Sequence, residues 1–176
     1  MNFFEIIAEC AIALAGFGAV HAVLQGSTGP RGVFRAWMVV VVGALAFVLS
    51  ILPLLLILAP LSNELLWRSA SIFGVLGLGA LVSTFIKGDY RMTRLGHPPQ
   101  ALLSVRSAQL SSILATIAML MNFIGWPWPS GPLLYATALI FLMISGLIAL
   151  LHSFYVPFQL ALRGEASAPP GNPPAP

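Results

Sequence analysis

Residues 36–59 read AWMVVVVGALAFVLSILPLLLILA, twenty-four positions without a charged side chain. A helix on the surface of a soluble domain keeps a polar face, and this stretch has none. At 1.5 Å rise per residue, about 20 apolar residues cross the roughly 30 Å hydrocarbon core of a bilayer. The segment therefore reads as a transmembrane span. The same criterion applied outward in both directions gives five spans, at about residues 3–24, 36–59, 67–86, 104–125 and 132–156. Charged residues make up 7% of the chain, against about a quarter in a soluble domain. The predicted architecture is an all-α membrane bundle over residues 1–163, followed by a Pro-rich tail at 164–176 whose sequence, GEASAPPGNPPAP from Gly164, is too poor in apolar residues to pack.

Charge placement predicts an orientation. Arg31 and Arg35 lie between spans one and two, Lys87, Arg91, Arg94 and Arg106 between spans three and four, and Arg163 after span five. With five spans all of these share one side, leaving Arg68 alone on the other. The positive-inside rule then places the amino terminus outside and the carboxyl terminus in the cytoplasm. Basic residues at an inner surface attract anionic headgroups, so Lys87, Arg91 and Arg94 are candidate lipid contacts. Trp67, Trp126 and Trp128 near the outer boundary, with Trp37, Tyr90 and Tyr155 near the inner one, form the expected aromatic belt. No basic residue precedes the first apolar run, which begins MNFFE. It lacks the charged start of a signal peptide and is expected to remain as a span.

Lipid tails are as apolar as leucine, so helices in a bilayer associate where small residues let backbones approach. In span one Ala8, Ala11, Ala15, Gly18 and Ala22 form such a seam, and in span four Ser104, Ala108, Ser111, Ala115, Ala118, Asn122 and Gly125 do. Span three offers Ala70, Gly74, Gly77 and Thr84, and span five Ala138, Ser145, Ala149 and Ser153. Span two looks bulky nearly all round and is expected to be the most lipid-exposed, with Pro53 disturbing its outer end. Cys10 reads as a small packing residue. At the segments AECAIALAGFGAV (8–20) and ELLWRSAS (64–71) the chain resembles small, uncharacterised multi-spanning membrane proteins of bacteria. That resemblance implies a bacterial inner membrane and carries no function or site residue with it.

Intramembrane ionisable residues are functional candidates, because burying a charge at mid-bilayer costs about 2.5–3.5 kcal/mol even on insertion scales. Depth sorts the polar residues into two groups: Glu5, Glu9, Glu64, Arg68 and Asn122 towards the outside, and His21, His152, Arg106 and Gln109 towards the inside. Glu9 is the most exceptional, about 9 Å into its span. Pairing of Glu9 or Glu5 with Arg68 is expected, with Glu64 as the competing partner one turn away. His21 is expected to reach the headgroups, His152 to point inward, and Asn122 to hydrogen-bond across a helix seam.

Between the two groups lie only Gly, Ala and hydroxyl residues such as Ser50 and Thr116, where a monomeric ion pathway would carry strongly polar groups. No nucleophile–base–acid set, phosphate loop or Cys/His metal set is present. Neither an enzyme nor a cofactor or metal is expected. A nucleic-acid role is not expected either, since no basic domain projects from the membrane. Two readings follow: a non-catalytic bundle acting through helix packing with itself or a membrane protein partner, or a small transporter or channel with Glu9 as a protonatable group in an outer vestibule.

Overall fold

In the computed structural model the described residues are 3–24, 30–94, 102–125 and 131–167. They form five helices: α1 (Phe3–Leu24), α2 (Pro30–Leu56), α3 (Asn63–Arg94), α4 (Leu102–Ile124) and α5 (Gly131–Ser167). No strand occurs among them, and all five are long and apolar enough to cross a membrane. The termination signals are local. Pro30 opens α2, where its missing N–H costs nothing. Ser62 caps α3, its Oγ accepting from the Leu65 amide at 3.3 Å. Gly125 follows α4 with φ of 77°, the left-handed position that commonly ends a helix. Three helices outrun their predicted spans by four residues or more, α2 from Pro30, α3 from Asn63 to Arg94 and α5 to Ser167. The first residues of the expected tail, 164–167, are thus helical, and the remainder of the tail lies outside the described residues.

Successive helices run antiparallel, so the bundle has a Phe3 end, with the start of α3 and α5, and a Lys87 end. Helix α5 touches every other helix, and α2 touches α1, α3 and α5. This corrects the expectation for α2: it is central, not the most lipid-exposed element. Its small residues Ala36, Gly43, Ala46 and Ser50 are buried together with Met38, Val39, Val42 and Leu49. They lie three, four or seven positions apart among branched residues, which conceal the face they make. A Cβ at Gly43 would stand 2.8 Å from the Ala15 amide nitrogen and 2.9 Å from the Ala11 carbonyl oxygen. The backbones of α1 and α2 meet there, and only glycine allows it.

The predicted seams are largely the packed faces. In α1, Ala11 and Gly18 are buried against α2, and in α4, Ala108, Ser111, Ala115, Ala118 and Asn122 are all buried. Helix α3 departs from expectation near the Lys87 end. Ala70 and Gly74 are buried, but Thr84 is exposed and returns its hydroxyl to the Ala80 carbonyl at 2.8 Å. A hydroxyl satisfied by its own helix needs no neighbour. Cys10, expected to pack, is exposed on α1.

Candidate functional site

Of the residues predicted for the outer group, Glu64 and Arg68 of α3 and Asn122 of α4 lie together at the Phe3 end. Asn122 of α4, 4% exposed, donates from Nδ2 to the Ser71 Oγ of α3 at 2.8 Å and approaches the Trp67 carbonyl oxygen at 3.5 Å. One amide thus ties α3 to α4, as the seam position implied. Trp67 stacks on Phe4 of α1 at 5.7 Å and meets Tyr135 of α5 at 5.6 Å. Its Nε1 donates to Asn63 Oδ1 at 2.9 Å. Trp126 and Trp128 lie outside the described residues.

Arg68 pairs with Glu64, the competing partner one turn back on α3, rather than with Glu9. The i,i+4 spacing brings the two side chains together without help from another helix. The Arg68 guanidinium also fills the space beside Gly125 that a side chain there would need. It lies at the carboxyl end of α4, where orphan carbonyls favour a cation. The Arg68 Nε is buried with no hydrogen-bond partner among the described residues.

Tyr135 belongs to this cluster and escaped the sequence reading. It is fully buried, and its hydroxyl donates to the Leu49 carbonyl oxygen of α2 at 2.7 Å. That carbonyl is four residues before Pro53, the position whose intrahelical partner a proline removes. A neighbouring helix supplies the donor instead, as a low-dielectric bilayer requires. The signal was present in the sequence as the missing N–H of Pro53, but nothing in it named the helix that would answer.

Glu9 stands apart from the cluster. It is exposed, with no ion-pair partner among the described residues. Along α1, Glu5, Glu9, Ala13, Gly16 and Val20 all face outward, opposite the seam that packs on α2. A Cβ at Gly16 would meet nothing within 4 Å.

The predicted inner group separates. His21 does not reach towards headgroups: it is 4% exposed, its ring 4.1 Å from that of Phe154 on α5. Helix α5 extends past the level at which α1 was expected to end in the interface, and it covers the imidazole. Nε2 of His21 is buried without a hydrogen-bond partner among the described residues. His152 is half-buried on α5, two positions before Phe154. Arg106 falls within α4, but its side chain lies outside the described residues. Lys87, Arg91 and Arg94 are exposed at the end of α3, with the Arg94 guanidinium 4.8 Å over the Tyr90 ring.

Gln109 lines a cavity of about 220 Å³ between α3 and α4, backed by α2 and α5. On its wall the hydroxyls of Ser112 and Ser145 lie 2.9 Å apart and share the Ala108 carbonyl oxygen, at 3.1 and 3.0 Å. This hydroxyl pair links the α4 and α5 seams. Among the described residues no three His, Cys, Asp or Glu side chains converge on a point where a metal ion could sit. No protein-family model matches the chain, and neither a curated protein nor a solved structure matches it.

Proposed function

We propose that the chain is an integral membrane protein that works by association, its bundle docking through the outward face of α1 onto a second copy or a partner subunit, without catalysis. One observation carries this reading: Glu9 lies on the outside of a bundle whose five helices are each long and apolar enough to span. A carboxyl left against lipid at that depth is expensive. The same face offers Ala13 and Gly16, small enough for another backbone to approach and cover it. A transport pathway through Glu9 within one bundle has less support, because Glu9 does not line the cavity between α3 and α4. In the orientation we propose, the Phe3 end is outside, and the Lys87 end meets anionic headgroups of a bacterial inner membrane through Lys87, Arg91 and Arg94.

Cys10, the single cysteine, is exposed beside Glu9 and reports on this face directly. Mild oxidation of membranes containing the full chain is expected to give a Cys10-linked dimer, or Gly16→Leu to release a stoichiometric membrane protein that copurifies with the wild type. If neither occurs and wild type and Gly16→Leu are both monomeric in membranes, docking through α1 is wrong.

A further inference from the structure

At the Phe3 end α3 and α4 are in close contact. Asn122 reaches Ser71, and a Cβ at Gly74 would stand 2.9 Å from the Met119 sulfur. Continuing this antiparallel register brings Leu81 opposite Ser112 and Phe85 opposite Ala108, and there a cavity of about 220 Å³ separates the two helices. Its back wall is Val42 of α2 and Ala149 of α5. Its rim includes Ile86 and Ile113, which are 57% and 47% exposed, so the cleft opens sideways on the surface the bundle presents to lipid. An engineered apolar cavity of about 150 Å³ is enough to bind benzene. This one has room for a longer piece of hydrocarbon, and its walls are mostly aliphatic.

Position and polarity narrow the occupant. The cleft runs from Leu81 to Ile86, immediately before Lys87, so at 1.5 Å per residue it occupies roughly the first 8 Å below the basic end of α3. That is the depth of the upper part of an acyl chain whose headgroup lies at the level of Lys87. The hydroxyls of Ser112 and Ser145 are already engaged with each other and with Ala108. Gln109 is different: it lines the cleft and makes no hydrogen bond among the described residues. Its amide is available to an ester or phosphate oxygen. Beyond it Lys87, Arg91 and Arg94 are exposed, and basic residues at a membrane surface enrich anionic lipid around them.

We propose that the cleft between α3 and α4 is a lipid site, taking one acyl chain of an anionic phospholipid, with the Gln109 amide at its mouth. The proposal rests on the chain being embedded in a bilayer and is independent of docking through α1. It is tested on the full-length protein in vesicles of phosphatidylglycerol or phosphatidylcholine, each doped with the same phospholipid bearing a diazirine in the upper half of one chain. After illumination, adducts are located by mass spectrometry. Adducts are expected to concentrate at Ile86, Ile113 and their cleft neighbours, several-fold above Leu76, which is exposed on α3 away from the cleft. They should be more abundant from phosphatidylglycerol, and Ala149→Phe or the milder Ala108→Leu should reduce them to the Leu76 level. Adducts spread evenly over the lipid-facing surface overturn the proposal, as do equal yields from the two lipids or yields unchanged by both filling variants. The wild-type map decides even if a filling variant fails to fold. Absence of adducts throughout the protein would instead refute the membrane reading itself.

Discussion

At the scale of single residues, the hydrogen bond from Tyr135 to the Leu49 carbonyl shows how this chain accommodates a proline inside an apolar helix. Tyr135→Phe keeps the ring among Phe4 and Trp67 but leaves the carbonyl with no donor, because Pro53 has no N–H to offer. The expected loss is about 1–2 kcal/mol, within the range for buried and interhelical hydrogen bonds, read from reversible unfolding in mixed micelles. Restoring the amide separates this bond from ring packing. In a Pro53→Ala background the Leu49 carbonyl regains its own helical partner, and Tyr135→Phe should then cost less than about 0.5 kcal/mol, a coupling that only linked sites show. An undiminished cost in the double variant would mean that the hydroxyl does not serve the proline. The rearrangement of ion pairs has an equally local cause. Arg68 meets Glu64 because they are one turn apart on the same helix, and Glu9 is left on the outward face of α1, with no ion-pair partner among the described residues.

At the scale of elements, glycines that look alike in the sequence separate by what surrounds them. Gly43→Ala forces a methyl group into the α1 backbone, where neither Ala15 nor Ala11 can give way. A loss of about 1–3 kcal/mol is expected, as for other overpacked contacts. Gly16→Ala on the open face of α1 should leave the unfolding midpoint of the isolated bundle unchanged or slightly higher, since alanine is the better helix former. Equal losses at both positions would argue against the packing of α1 on α2. The helices and most of their inward faces were legible because apolar length sets the spans and small residues mark where backbones meet. The face of α2 was not, since Gly43, Ala46 and Ser50 stand among valines and leucines that also point inward on a central helix. Composition alone cannot tell an apolar residue facing lipid from one facing a neighbour. The same ambiguity hid His21, whose burial depends on α5 running long enough to bring Phe154 over it.

At the scale of the whole molecule, a charge asymmetry sorts one end of the bundle from the other. Of the eight Lys and Arg residues, all but Arg68 belong to the segments at the Lys87 end. Arg68 is already paired with Glu64 and rests on the carboxyl end of α4. The Phe3 end therefore carries no uncompensated cation from this set, while Lys87, Arg91 and Arg94 remain exposed at the other. A chain inserted by the positive-inside rule keeps the second end in the cytoplasm. Cysteine labelling tests this without disturbing the charges that set it: in a Cys10→Ser background, Ser62→Cys marks the α2–α3 connection and Tyr90→Cys the far end of α3, both exposed positions. A membrane-impermeant maleimide on intact cells is expected to modify Ser62→Cys at once and Tyr90→Cys only after permeabilisation. The reverse pattern would invert the bundle and assign the lipid cleft beneath Lys87 to the outer leaflet. Labelling of both from one side would break the count of spans between them, since Ser62 and Tyr90 are separated by a single crossing of α3.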